Sequence, residues 1–168
     1  GSFGDFAALS FHETKNISCG EGGLFIVKEE YDFHKAEIIR EKGTNRSSFI
    51  RGEVNKYGWK NIGSSFLPSD ILAAILWAQL QVMEEIKSKR KNIWNMYYES
   101  LEPLELSGKI IRPKLSPKVD HNAHIFYLIT RDDAERNQLI QFLSERLIKA
   151  TFHYLSLHKS DFFRGKTG

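Results

Sequence analysis

The chain has 168 residues, of which 41% are hydrophobic and 27% charged, and its net charge is +3. That is enough chain for a domain with its own core, in the composition range of soluble globular proteins. The small net charge, without long runs of one sign, argues against a nucleic-acid partner, and no stretch reaches the roughly 18 apolar residues of a membrane span. A single cysteine, Cys19, excludes an internal disulfide and fits a reducing compartment. No leader-like pattern is visible in the first residues, so a cytoplasmic location is expected.

Residues 6–11 are small and apolar and read as a buried strand. Residues 19–23 are a turn by composition, with Gly22 and Gly23 adjacent, and residues 24–27 read as the next strand. Residues 31–41 place Phe33, Ala36 and Ile39 among charges, as in an amphipathic helix. Residues 43–63, rich in Gly, Asn, Ser, Arg and Lys, read as a long functional loop, with a flexible connector as the alternative. Ser69 and Asp70 then cap a helix carrying Ile71, Ile75, Leu76 and Leu80. Its pattern continues through Trp94, Tyr97 and Tyr98 to Leu101, with one bend or break expected, and Pro103 ends it. The basic cluster Lys87-Ser88-Lys89-Arg90-Lys91 on this helix reads as a solvated face.

The second half reads as a separate unit. Residues 109–112 and 123–130 look like strands. Asp132 and Glu135 form a capping-box pattern before Leu139, Leu143 and Leu147 at helical spacing. Residues 149–157, aromatic and β-branched, read as a closing strand, and the chain then runs out through residues 162–168. No internal repeat or low-complexity tract is present.

Lys15 therefore lies between two strands, in a loop from which a scaffold can aim a side chain. A lysine in a loop is ordinarily a solvated surface group. Desolvation or a neighbouring positive charge lowers an ammonium's pKa and frees the amine, which can then condense with a carbonyl. Residues 10–23, SFHETKNISCGEGG, resemble the lysine motif of the DegT/StrS family of pyridoxal-phosphate (PLP) sugar aminotransferases. Within that family they are most similar to the branch acting on TDP-4-keto-6-deoxy-glucose, where a near-identical string surrounds the Schiff-base lysine.

The resemblance implies an α/β fold: part of an aspartate-aminotransferase-type (type I PLP) large domain with its bridging helix over residues 1–85, then a small, incomplete α+β C-terminal domain over residues 86–168. Members are considerably longer, with the lysine near mid-chain, so the sequence reads as a fragment lacking the N-terminal part. Lys15 would be the cofactor's imine partner and proton shuttle. Ser10 falls where a family serine bonds the cofactor phosphate. His12 either packs beside the cofactor or bonds a backbone carbonyl. Ser65 falls where many members carry an asparagine that reaches across the dimer to the partner's phosphate; the TDP-sugar branch shares Ser-Ser here. Arg46 either meets a nucleotide diphosphate, whose geometry suits guanidinium, or is a surface arginine.

His153 and His158 lie in a segment similar to the family's HYIPLH, near the sugar nucleotide. Five residues apart on an extended segment, they point to opposite faces, and His121 and His124 lack a carboxylate or cysteine at ligand spacing. No metal is expected. Asn16 is a neighbour that could orient the loop, without a chemical role. The Gly-Glu-Gly-Gly run at residues 20–23 lacks phosphate-loop spacing and reads as a tight turn.

The resemblance thus implies transfer of an amino group from glutamate to the keto carbon of a TDP-linked 4-keto-6-deoxy sugar. The product would be a 4-amino-4,6-dideoxy sugar nucleotide for cell-surface polysaccharide, made by a homodimer. Members draw the ring stacked on the cofactor and the acid paired with its pyridine nitrogen from the N-terminal half, so this chain alone is expected to be inactive. The alternative is a non-catalytic sugar-nucleotide-binding or regulatory relative of the same fold. A sugar dehydratase is a weaker reading, because related dehydratases replace the lysine with histidine.

Overall fold

The computed structural model describes residues 3–163; residues 164–168, the end of the closing run, lie outside the described residues. The chain divides into two compact units, residues 3–94 with Asp120–His124, and Asn95–Val119 with residues 125–163.

The first unit opens with β1 (Phe6–Ser10) and β2 (Gly23–Val27), an antiparallel pair in the register Phe6↔Val27 and Ser10↔Gly23. Both strands fall on the apolar runs in the sequence, but β1 is largely exposed rather than buried, since a two-stranded pair covers neither of its faces; Phe6 stacks on Phe25 with ring centroids 5.7 Å apart. Helix α1 (Glu30–Arg40) follows. Its expected apolar face is only partly inward, because Phe33 is exposed while the carboxylate of Glu37 is buried.

Residues 43–63 are ordered rather than structureless. Helix α2 (Arg46–Ile50) lies inside them, Thr44 bridges to Trp59, and Phe49 packs on Tyr57 at 5.5 Å between centroids. The Asn45 Oδ1 accepts from the Gly58 N–H at 2.9 Å. The loop is thus packed by its own side chains. Its neck is a backbone clasp: the Gly43 carbonyl accepts from the amides of Lys60 (2.7 Å) and Asn61 (3.1 Å). Gly43 has φ +77°, and a β-carbon there would lie 1.9 Å from the Asn61 carbonyl oxygen. Glycine is required at that position for both reasons.

Helix α3 (Asp70–Gln81) begins at Ser69, whose Oγ accepts from the Leu72 N–H at 3.3 Å. The expected break falls at Val82 (φ −114°, ψ 20°), and α4 (Met83–Ser100) continues beyond it. Ile71 and Trp77 on α3 are largely exposed, and no α3 residue is buried. Trp94 on α4 is 4% exposed and packs its ring on His121 at 4.5 Å.

In the second unit, Pro103 starts a helix rather than ending one. It sits in the first turn of α5 (Glu102–Leu106), where the missing N–H costs nothing. The buried Arg112 guanidinium is held by Glu105 (2.6 Å), Glu102 (3.1 Å) and the Tyr98 carbonyl. Helix α6 (Asp133–Ser144) carries the anticipated cap: Asp132 Oδ1 accepts from the Glu135 N–H at 2.8 Å, while Glu135 reaches back to the Arg131 N–H at 2.9 Å. Leu147, expected on the apolar stripe of that helix, lies past its end at φ +61° and is exposed.

The three strands read from the second half do not form as ladders. Residues 109–112 and 123–130 meet at one bridge, Ile111 with Ile129, bonded in both directions at 2.9 and 3.0 Å. Ala123, where the second strand was expected to begin, has φ +52°, which no strand residue adopts. Residues 149–157 are broken by Tyr154 at φ +43°, and a 3₁₀ turn, Leu157–Lys159, follows.

Candidate active site

Lys15 sits in the loop that joins β1 to β2. The loop is closed by backbone bonds: Phe11 N–H to the Gly22 carbonyl and Glu13 N–H to the Gly20 carbonyl, each 2.8 Å, and Cys19 N–H to the Phe11 carbonyl at 2.9 Å. Cys19 is buried beneath it, its Sγ 3.3 Å from the Glu21 carbonyl. The Lys15 N–H donates to the His12 carbonyl at 2.9 Å, which folds the chain into a turn and leaves the side chain exposed. Among the described residues, no hydrogen bond or ion pair takes up the Lys15 amine.

Two other predicted site residues lie close by in the chain, Ser10 at the end of β1 and His12 in the loop. Ser10 Oγ accepts from the His12 N–H at 3.3 Å, so its own hydrogen remains to donate. The His12 ring is engaged at both nitrogens. Nδ1 accepts from the Thr14 N–H at 3.3 Å, which puts the proton of the neutral ring on Nε2, 3.5 Å from Glu21 Oε1.

The loop is also tied to distant parts of the chain, and the sequence offered no sign of this. The Ser18 N–H donates to Gln79 Oε1 on α3 at 3.0 Å. Asn16 Nδ2 donates to the Asn122 carbonyl at 2.6 Å, and Asn16 Oδ1 lies 2.9 Å from His124 Nδ1. The segment Asp120–His124 is pinned to α4. Asp120 pairs with Lys87 at 3.1 Å and with Lys91, and Arg90 Nη2 donates to the His124 carbonyl at 3.2 Å. Hydrogen bonds from Lys91 and then Lys87 hold the Asp120 carboxyl below the ordinary carboxylate range, and Asp120 in turn raises Lys87. The basic cluster on α4 is therefore not simply a solvated face. Lys89 alone follows that reading, paired with Glu85 one turn back at 2.6 Å.

Ser65 and Arg46 flank the clasped loop. Ser65 bridges to Glu41, and the neighbouring amides of Ser64 and Phe66 donate to the Ile39 and Arg40 carbonyls at 3.0 and 3.1 Å, fixing its backbone on the end of α1. Arg46 Nη1 donates to Glu41 Oε1 at 3.1 Å; the glutamate side chain is 5% exposed and the arginine 51%. One edge of the guanidinium is thereby anchored while the rest faces outward. Arg51 differs: Glu37 takes two of its nitrogens at 2.7 and 2.9 Å and Glu53 a third at 2.6 Å, which raises its pKa further. No hydrogen bond or ion pair among the described residues joins Ser65 or Arg46 to the Lys15 loop.

His153 and His158 belong to the other unit. His153 packs edge-on against Tyr154 at 4.8 Å, and His158 lies in the 3₁₀ turn, so the extended geometry expected to separate them is absent. No group of three or more His, Cys, Asp or Glu that could hold a metal occurs among the described residues. None of the helices is long and apolar enough to cross a membrane among the described residues.

The sequence profile described as the DegT/DnrJ/EryC1/StrS aminotransferase family matches residues 1–168. The chain belongs to that family. One similar member is an uncharacterized protein of Methanocaldococcus jannaschii, 30% identical over 100% of this chain and 44% of its own length. Another is the dTDP-4-dehydro-2,3,6-trideoxy-D-glucose 4-aminotransferase of Saccharopolyspora spinosa, 28% identical over 98% of this chain and 43% of its own. The chain thus spans less than half the length of these DegT-family relatives. Among solved structures, the PLP form of the sugar aminotransferase Spr1654 from Streptococcus pneumoniae superposes with a TM-score of 0.81 at 22% identity, over 100% of this chain and 42% of its own. The aminotransferase TlmJ from Streptoalloteichus hindustanus gives 0.81 at 21% identity, over 97% and 42%. These likenesses carry the fold: the chain has part of the type I α/β architecture of DegT-family sugar aminotransferases.

Proposed function

We propose that this chain is the lysine-bearing part of a PLP-dependent enzyme that moves an amino group from glutamate to the keto carbon of a nucleotide-linked 4-keto-6-deoxy sugar. The single observation that carries the reading is the placing of Lys15: it stands on a backbone-closed loop within the lysine motif of a chain that matches the DegT family along its whole length. The donor set fits the cofactor, since a primary amine and a serine hydroxyl with its hydrogen to give stand at the two ends of one short segment. Bound PLP supplies the electron sink that amine transfer requires.

Lys15 would hold the cofactor and move the proton at Nζ; Ser10 would donate to its phosphate; His12 would pack beside the cofactor, and Ser65 would reach across a dimer to the phosphate bound by the partner subunit. Arg46 is the arginine of the clasped loop suited to a diphosphate, because Arg51 spends its nitrogens on Glu37 and Glu53. His153 and His158 would line the sugar-nucleotide side. Residues 1–85 would be the C-terminal part of the large domain and 86–168 the small domain. The exposed apolar side chains Phe6, Phe25, Ile71 and Trp77 support that reading, as surfaces other parts of a longer protein would cover. A TDP sugar is favoured because the Saccharopolyspora relative is named for a dTDP-sugar 4-amination. The product would then be dTDP-4-amino-4,6-dideoxygalactose for polysaccharide synthesis, made by a cytoplasmic homodimer.

Borohydride reduction in the presence of PLP, followed by peptide mapping, tests the reading. Label is expected on Lys15 and absent from Lys15→Ala; label on other lysines alone would overturn it. The 168-residue chain is expected to show no turnover with glutamate and a TDP-keto sugar, whereas its full-length parent turns over.

A further inference from the structure

Asn16 directly follows Lys15, and its amide is committed on both sides. Nδ2 lies 2.6 Å from the Asn122 carbonyl oxygen and Oδ1 lies 2.9 Å from His124 Nδ1. A backbone carbonyl only accepts, so the NH₂ of Asn16 must face it, and this fixes the amide's orientation. The amide oxygen, which also only accepts, is left facing His124 Nδ1, and that nitrogen must therefore carry a hydrogen. The neutral His124 ring is the Nδ1–H tautomer with its lone pair on Nε2. Two other histidines of the same unit are the reverse. Thr14 N–H donates to His12 Nδ1 at 3.3 Å and Ala123 N–H to His121 Nδ1 at 3.2 Å, so both carry the hydrogen of the neutral ring on Nε2.

The partner segment is held to this arrangement. Ala123, between the two groups that Asn16 touches, has φ +52°, a left-handed conformation costly for a residue with a β-carbon. Its neighbours keep it there. Asn122 Oδ1 accepts from the His124 N–H at 3.1 Å, Arg90 holds the His124 carbonyl, Trp94 packs His121, and Lys87 and Lys91 hold Asp120. The left-handed turn brings the Asn122 carbonyl and the His124 ring to one amide, more than a hundred residues away in the chain.

We propose that Asn16 is a positioning residue for the Lys15 amine: it locks the lysine turn onto the segment Asp120–His124 and sets His124 as the Nδ1–H tautomer. The importance of this for amine transfer rests on the function proposed above; the tautomer does not. An imidazolium also donates from Nδ1, so protonation of His124 leaves the Asn16 contact in place.

Long-range ¹H–¹⁵N correlation spectra of the 168-residue chain read the tautomer of each histidine directly. His124 is expected to be protonated at Nδ1, with His12 and His121 protonated at Nε2 in their neutral forms. A His124 found with its hydrogen on Nε2 overturns the inference whatever the fate of Lys15. Asn16→Leu removes both contacts, to the Asn122 carbonyl and to His124 Nδ1. PLP–borohydride labelling of Lys15 is expected to slow about tenfold, the scale of losing one or two such hydrogen bonds, with the other lysines labelled at their wild-type rates. His124→Phe, which removes one of the two bonds, serves as the second variant should Asn16→Leu not fold, and is expected to slow Lys15 labelling by a smaller factor. Wild-type labelling rates at Lys15 in either folded variant would overturn the positioning role. A wild-type chain that shows the expected tautomers but never labels Lys15 would instead overturn the proposed function and leave the tautomer assignment standing.

Discussion

Gly43 and Gly52 form a matched pair that isolates the steric part of the loop clasp. Both have φ +77°, so alanine at either position is placed in the left-handed region, at about 1–2 kcal/mol. Both substitutions also stiffen the unfolded chain similarly. They differ in surroundings. A β-carbon on Gly52 meets nothing within 4 Å, whereas on Gly43 it lies 1.9 Å from the Asn61 oxygen, 2.9 Å from the Asn61 carbon and 3.2 Å from the Gly63 nitrogen. The neighbours at Gly43 are backbone and cannot swing aside as a side chain could. Relief requires moving Asn61 by more than an ångström, which disturbs the bonds from the Lys60 and Asn61 amides to the Gly43 carbonyl. Overpacking of this kind costs about 1–3 kcal/mol. Gly43→Ala should therefore be less stable than Gly52→Ala by about 1–3 kcal/mol, which for a chain of this size is a melting difference of about 2–12 °C. Urea titration followed by tryptophan fluorescence measures it, since Trp59 bridges to Thr44 inside the loop. Equal destabilisation by the two variants, within about 0.5 kcal/mol, would show that the backbones of residues 43 and 61 do not approach as described.

Ser69→Ala removes the acceptor for the Leu72 N–H and should cost about 1 kcal/mol, read as a lower urea midpoint by circular dichroism; no change would mean that the start of α3 is not capped by this side chain. Asp120→Asn tests the link from α4 to the lysine loop through its pH dependence. The folded Asp120 titrates below its ordinary value of 3.8, so its ionic contribution is fully present above pH 3.8 and is lost as pH falls through the lower folded value. Melting curves should show the wild type losing stability more steeply than the variant in that acid window. The carboxylate is 65% exposed, so added salt should narrow the neutral-pH difference between them. Parallel pH profiles for the two proteins would refute the pairing.

Local physics made the first unit's scaffold readable. The apolar runs of β1 and β2 and the Ser69 cap in the first unit, like the Asp132–Glu135 cap in the second, each lie within a few residues of what they determine, and each of these elements forms where expected. The lysine loop was readable for a different reason: its string of residues resembles a family, and the profile match over the full chain agrees. The second unit's strands were misread because β-branched and aromatic composition reports only a preference, while a ladder needs a partner in register. Backbone at φ +52° and φ +43° then interrupted two of the runs. Nothing within a window around Asn16 could have revealed its two partners, since the selectivity of that amide comes from a segment over a hundred residues later.

That separation bears on how the lysine turn is kept in place. Its own hairpin fixes the backbone at both ends, but the turn from residue 12 to residue 18 would be held only locally if Asn16 and Ser18 had no distant partners. Gln79 ties one side of the turn to α3, and the segment Asp120–His124 ties the other to α4 through Lys87, Arg90, Lys91 and Trp94. After Val119 the chain leaves one unit, contributes five residues to the other, and returns. Those five residues are therefore part of the lysine's support although the surrounding sequence is not. Removing the Asp120 pairings should loosen the turn without touching it, so Asp120→Asn should raise hydrogen exchange at the amides of residues 14–17 as well as at 121–124. Exchange that rises only in the second set would show that the Asn16 contacts survive without α4, and the chain of support would then end at His124.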